Sequence, residues 1–169
     1  MNKDGTLTLA AVAAAVADDP SPEARDLCIR RVRHWGSHGV LETAGEVFTG
    51  TGRYRRFAAE TTYTAKVLLR LADAGFTIGQ LKTAALTISM SRANIKEIAD
   101  RWDKAIQAPA GSRIIARFGV GGGSNRRPPV FTFSLHPDPS DSVPIGLPAA
   151  HERLVILIDL TREFSEIRL

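Results

Sequence analysis

Arg25, Arg30, Arg31 and Arg33 fall within nine residues, and Arg53, Arg55 and Arg56 within four. Guanidinium groups at that density suit phosphate oxygens and, where a side chain reaches a groove floor, the O6/N7 edge of guanine. Between Arg25 and Arg56 these seven arginines meet only Asp26, Glu42 and Glu46, whereas the rest of the chain carries fifteen basic and fifteen acidic residues. The whole net charge of +4 therefore sits in one window. A phosphate-backbone binder needs such a cluster, and a solvated surface tolerates one equally.

Other reactive residues offer less. Cys28 is the only cysteine, which forbids an internal disulfide framework and any cysteine-rich zinc or iron–sulfur site. Cys28, His34 and His38 invite a metal reading, but Cys28 belongs to an apolar stripe facing away from His34, and Gly36 is expected to interrupt the helix before His38. Gly121-Gly122-Gly123-Ser124 lacks the Lys-Ser/Thr of a phosphate-binding loop and leads into Arg126-Arg127-Pro128-Pro129 rather than a helix. His136, His151, Asp138, Asp141 and Asp159 are scattered without ligand spacing, so no nucleophile–base pair stands out. The expectation is a non-enzyme with no metal and no cofactor.

These arginines must be held by particular elements. Leu9, Val12, Ala13 and Val16 recur at helical spacing within residues 7–17, before Asp18-Asp19-Pro20. Ser21 reads as an N-cap and Pro22 as the first position of a second helix reaching about Gly36. At about 100° per residue, Ala24, Cys28, Val32 and Trp35 form its apolar stripe. Arg30, Arg33 and His34 lie opposite, with Arg25 and Arg31 at the borders. Val47-Phe48 and Tyr54–Phe57 flank Thr49-Gly50-Thr51-Gly52, the pattern of a hairpin. Alternation sends Arg53 and Arg55 to one side and Arg56 to the other, so at least one is structural. Tyr54, Phe57 and Trp35 fall beside apolar neighbours and read as core.

A third helix is expected from about Glu60 to Ala74, with Gly75 as its stop, and a short one from about Ile78 to Leu86. Ile88, Ile95 and Trp102 then repeat every seven residues, with Ile98 and Ile106 filling the seam, as in a partner helix over 87–108; an ordinary amphipathic helix fits the same spacing. Beyond Pro109, the runs Ile114–Val120, Val130–Leu135 and Leu154–Leu160 read as three strands of a small module.

Individual residues carry a family resemblance. Arg33-His34-Trp35 with Gly39-Val40-Leu41 resembles the recognition-helix end of MerR-type regulators. Gly52-Arg53-Tyr54-Arg55-Arg56-Phe57 resembles that family's wing, and Asp73-Ala74-Gly75-Phe76-Thr77-Ile78 with Leu81 resembles its Gly-Phe-Ser-Leu-x-x-Ile segment. The similarity covers about residues 7–86. His34 departs from the family's aromatic, and Asp18–Glu23 lengthens the first interhelical connection.

The resemblance implies a winged helix-turn-helix over 1–86 followed by a dimerisation helix over 87–108; with the β-rich module that the apolar runs give over 109–169, an α+β chain is expected. It further implies a sequence-specific transcriptional regulator of double-stranded DNA, acting as a homodimer with RNA polymerase as a further partner. Arg25, Arg30, Arg31, Arg33, His34, Arg53, Tyr54, Arg55 and Arg56 would face DNA, and Ile88, Ile95, Ile98, Trp102 and Ile106 the second copy. An excisionase-like DNA-bending factor and a protein-interaction module are the alternatives.

The 169 residues, 44% hydrophobic and 24% charged, suffice for one domain or two small ones and exclude low-complexity and collagenous classes. No stretch approaches the roughly 18 apolar residues of a membrane helix. The Ala-rich segment 7–17 lacks a small-residue cleavage site, so a cytoplasmic location and no membrane association are expected.

Overall fold

A computed structural model of the chain describes residues 5–44, 55–107, 113–121, 131–137 and 152–167. It combines helices with antiparallel sheets, an α+β arrangement, and divides into two units: 1–85 with 166–169, and 86–165.

The first unit opens with β1 (Thr6–Thr8), where a helix is expected from the sequence; helix α1 (Leu9–Val16) begins only at Leu9. Thr8 explains the switch, because its extended backbone and side-chain oxygen, accepting from the Ala11 amide at 3.2 Å, make it the N-cap. Helix α2 (Pro22–Ser37) starts as anticipated, with Ser21 Oγ accepting from the Ala24 amide and Pro22 in the first turn. Strand β2 (Arg56–Ala58) pairs antiparallel with β1, placing Leu7 opposite Phe57. Both are buried, and this apolar pair anchors the ladder. An isolated bridge joins Ala44 to Arg56. The expected hairpin turn and its first arm lie outside the described residues.

Helix α3 (Thr61–Asp73) buries Val67, Leu68 and Leu71. Helices α2 and α3 end alike, on Gly39 and Gly75 with φ of 63° and 90°. In each, the amide two residues past the cap reaches back to the third residue from the helix end, Val40 N to Trp35 O at 2.9 Å and Phe76 N to Leu71 O at 3.1 Å. Glycine takes this left-handed conformation without steric cost, and the apolar Val40 and Phe76 then fold inward.

Helix α4 (Ile78–Asn94) is longer than the expected short helix, and the division between the units falls within it. Its start is fixed by a reciprocal cap: Gln80 Oε1 accepts from the Thr77 amide at 2.8 Å, and Thr77 Oγ1 from the Gln80 amide at 3.4 Å. The single helix expected over 87–108 is instead two, α4 and α5 (Lys96–Gln107), separated at Ile95. Asn94 supplies the reason: it is a poor helix former, and its Nδ2 donates to the Met90 carbonyl at 2.8 Å, a side-chain competitor at the helix end.

In the second unit, α5 buries Ile98, Trp102 and Ala105. Strands β3 (Ile114–Gly121), β4 (Phe131–Pro137) and β5 (Glu152–Asp159) form an antiparallel sheet in the order β4-β3-β5. The register aligns Phe118 with Phe133 and Ile156, and Ala116 with Leu135 and Ile158, on the face that meets the helices. Trp102 packs edge-on to Phe133 and Phe164, with ring centroids 6.3 and 5.1 Å apart, and the Arg92 guanidinium lies 5.0 Å from the Trp102 ring centroid. The last strand stops at Asp159, one residue short of the expected run, because Asp159 Oδ1 accepts from the Arg162 amide and starts helix α6 (Leu160–Ser165).

This packing corrects the expected partner seam. Ile88, Ile98 and Trp102 are 1%, 8% and 0% exposed within their own chain and are consumed by its core. Ile106 is half-buried, and only Ile95 stands well exposed. The seven-residue repeat forms a common seam only along an unbroken helix, and the break at Ile95 removes that condition.

Candidate nucleic-acid interface

Helix α2 separates its faces as its composition requires. Cys28, Val32 and Trp35 are buried, whereas Arg25, Arg30, Arg33 and His34 are exposed. Glu23 and Asp26 share the outer side in the first half, so positive charge dominates only from Leu27 onward. Among the described residues, Arg25, Arg30 and Arg33 make no ion pair. Arg31 does, through Nη1 to Asp73 Oδ1 at 2.7 Å, which ties α2 to α3.

The arginines of the second cluster separate from one another. Arg55 folds over the end of α2: a Cβ added to Gly36 would stand 3.3 Å from its Nη1. Gly36 therefore continues the helix instead of interrupting it, and leaves room for this approach. Arg56 is exposed but spans the ladder, with Nη1 donating to Thr6 Oγ1 at 3.4 Å. Arg53 and Tyr54 lie outside the described residues. Lys82, which the arginine count missed, is exposed near the same helix end, its Nζ 3.7 Å from a Cβ added to Gly39. No local motif marks Lys82; the Gly39 turn makes it a neighbour.

With Gly36 inside the helix, His34 and His38 are one turn apart, and their ring centroids are 4.1 Å apart. The His38 Nδ1 lies 2.9 Å from the His34 carbonyl oxygen and 3.1 Å from Ser37 Oγ. Cys28 takes no part. Burial, aided by Asp18 and Asp73 against the opposing Arg31 and Lys66, pushes its thiol above the usual value.

A second polar group was invisible as a motif. Lys66 is fully buried in α3, donating to Asp18 Oδ1 at 2.6 Å, Glu166 Oε2 at 3.1 Å and the Val16 carbonyl at 3.3 Å. Arg70 reaches both Asp18 oxygens, at 2.7 and 2.8 Å. Burial alone would raise the Asp18 pKa, but the hydrogen bonds and charges of Lys66 and Arg70 outweigh it and hold the carboxyl below its usual range. The cluster joins α1, α3 and residue 166 within the first unit and behind the basic helix.

In the second unit Ser134 Oγ and His136 Nε2 are 2.9 Å apart on β4. Burial, then Arg101 and Arg117, holds the imidazole below its usual pKa, so it is neutral near pH 7. Among the described residues no carboxylate bonds the imidazole to orient it as a base, and Asp159 on β5 is engaged by Arg113 at 2.7 Å. No protein-family model matches this chain, and no curated protein matches it.

Proposed function

We propose that the protein is a dimeric, sequence-specific DNA-binding transcriptional regulator resembling the MerR type, with its first unit acting as a winged helix-turn-helix and α2 entering the major groove. The observation that carries this reading is the outer face of α2. Arg30 and Arg33 project from a helix whose opposite face is locked into the core, and among the described residues no carboxylate neutralises them. Guanidinium groups one turn apart on a rigid helix suit successive phosphates or a guanine edge.

Arg55 and Lys82 add positive charge around the C-terminal turn of α2, supporting contact with flanking backbone. The homodimer in this reading uses the exposed apolar Leu86, Met90 and Ile95, which are 58%, 55% and 46% exposed, in place of the buried seam residues. RNA polymerase remains the further partner through promoter distortion.

Selection of duplexes from a random pool by the purified chain, followed by anisotropy titration over a range of salt, tests the proposal. The expected result is enrichment of an inverted repeat and binding that weakens steeply with salt. Recovery of an unenriched pool would overturn specific regulation, and salt dependence without enrichment would favour the DNA-bending alternative.

A further inference from the structure

We propose that His34 and His38 form a two-imidazole chelating site for a divalent transition metal such as Zn²⁺, Ni²⁺ or Cu²⁺ at the C-terminal turn of α2. Three observations carry it. First, α2 continues through Gly36 to Ser37, and the His38 amide still donates to the His34 carbonyl at 3.1 Å, so the two histidines occupy the same face one turn apart. Their side chains are exposed and their ring centroids 4.1 Å apart. Zinc at about 2.0–2.1 Å from each nitrogen needs donor atoms about 3.3 Å apart in a tetrahedral arrangement, a spacing that rotation of the exposed His34 ring must bring about, because His38 is anchored.

Second, the surroundings of His38 suit the tautomer a metal needs. Its Nδ1 lies 2.9 Å from a carbonyl oxygen, which can only accept, and the tautomer that makes this bond carries its proton on Nδ1. The Nε2 lone pair is left for a ligand. An imidazole anchored by its other nitrogen to a backbone carbonyl is the arrangement that supports metal-bound histidines, because it fixes ring orientation and raises donor basicity. Ser37 Oγ donates to the same carbonyl at 2.8 Å and reinforces the turn.

Third, the donor set defines the ligand class. Two neutral nitrogens without a thiolate or carboxylate favour borderline transition metals over Mg²⁺ or Ca²⁺, and Cu²⁺ over Ni²⁺ and Zn²⁺. The buried Cys28 is on the opposite side of α2 and supplies no sulfur. Two protein donors leave the remaining coordination positions to water. Arg33 and Lys82 oppose a dication, so the affinity is modest.

The site shares His34 and the end of α2 with the proposed DNA face, but its test uses metal alone, so its failure leaves that reading untouched. The full chain, free of any affinity tag, is titrated with ZnCl₂ and with CuCl₂ by calorimetry, beside the exposed-site variants His34→Gln, His38→Gln and the double variant. Far-UV circular dichroism verifies that each folds. The expected result is a 1:1 complex, tighter for Cu²⁺ than for Zn²⁺, weakened by about tenfold or more by each single change and absent in the double variant. In histidine-detected NMR, Zn²⁺ should shift the ring signals of His34 and His38 and leave His136 in place. Wild-type binding that persists in the double variant, or an absence of binding by the folded wild type at sub-millimolar metal, would overturn the site. A sulfur-to-metal band on adding Co²⁺ would equally overturn it by assigning the metal to Cys28.

Discussion

Removing the Asp18 carboxylate tests whether Lys66 is held as a desolvated charge. Lys66 exposes none of its side chain, and its ammonium is balanced by Asp18 at 2.6 Å and Glu166 at 3.1 Å. Breaking a fully buried ion pair from one side costs about 3–5 kcal/mol. Here the Asp18 side chain is 45% exposed and Glu166 remains in place, so solvent screening reduces the expected cost of Asp18→Asn to about 2 kcal/mol. Lys66→Met in the wild-type background removes both ion pairs and the bond to the Val16 carbonyl, but leaves the half-exposed Asp18 paired with Arg70, and should cost about 1 kcal/mol. In the Asp18→Asn background the same change removes a buried charge left with Glu166 as its remaining carboxylate and should instead restore about 1 kcal/mol, a coupling of about 2 kcal/mol. Urea unfolding followed by the buried Trp35, with Trp102→Phe throughout to silence the second indole, reads these differences in the first unit. Additive losses, with the double variant less stable than Asp18→Asn, would refute the reasoning.

Arg30→Ala and Arg33→Ala together should lower the salt dependence of duplex binding by about two log units per log unit of salt, at unchanged unfolding midpoint, as anisotropy titrations will show. Because the folded Asp18 pKa lies below its unfolded value of 3.8, the unfolded chain takes up the proton first. The Asp18 contribution is thus complete at neutral pH and is lost as pH falls below that value and through the folded pKa; acid titration of Asp18→Asn should lack this component. Iodoacetamide should label Cys28 at least about tenfold more slowly in the folded chain than in urea, with a labelling midpoint above that of an exposed thiol. Trp102 Nε1 finds no acceptor among the described residues, so Trp102→Phe should cost only about 1 kcal/mol, against about 3–5 kcal/mol for Trp102→Ala in thermal unfolding.

What was legible in the sequence was whatever a local pattern determines. Ser21-Pro22 fixed the start of α2, the Cys28–Val32–Trp35 stripe fixed its orientation, and Gly39 and Gly75 fixed two helix ends. The three strands of the second unit followed from apolar runs, the middle one alternating with Thr132 and Ser134, bounded by Gly, Pro and Ser. Periodicity failed at Ile95, because a repeat cannot register that one asparagine side chain competes with the backbone. It failed again at Gly36, where helix propensity suggested a break and the close approach of Arg55 gives the glycine a packing role inside the helix. The pairing of Lys66 with Glu166 left no trace, since partners one hundred residues apart have no shared local pattern.

The β1–β2 ladder has a kinetic consequence. Leu7 meets Phe57 at a sequence separation of fifty, and closing a loop of that size costs about 3.5 kcal/mol of chain entropy beyond a constant. The α1–α2 pair needs no such closure, being joined by five residues, Ala17 to Ser21. As the chain emerges during synthesis, the two helices can associate well before the ladder can close, because the Phe57 side of the ladder has yet to be made. The basic helix is thus seated by its own neighbour first, and the ladder locks the N-terminal strand afterwards, so damage to the Leu7–Phe57 contact should hasten unfolding more than it delays folding.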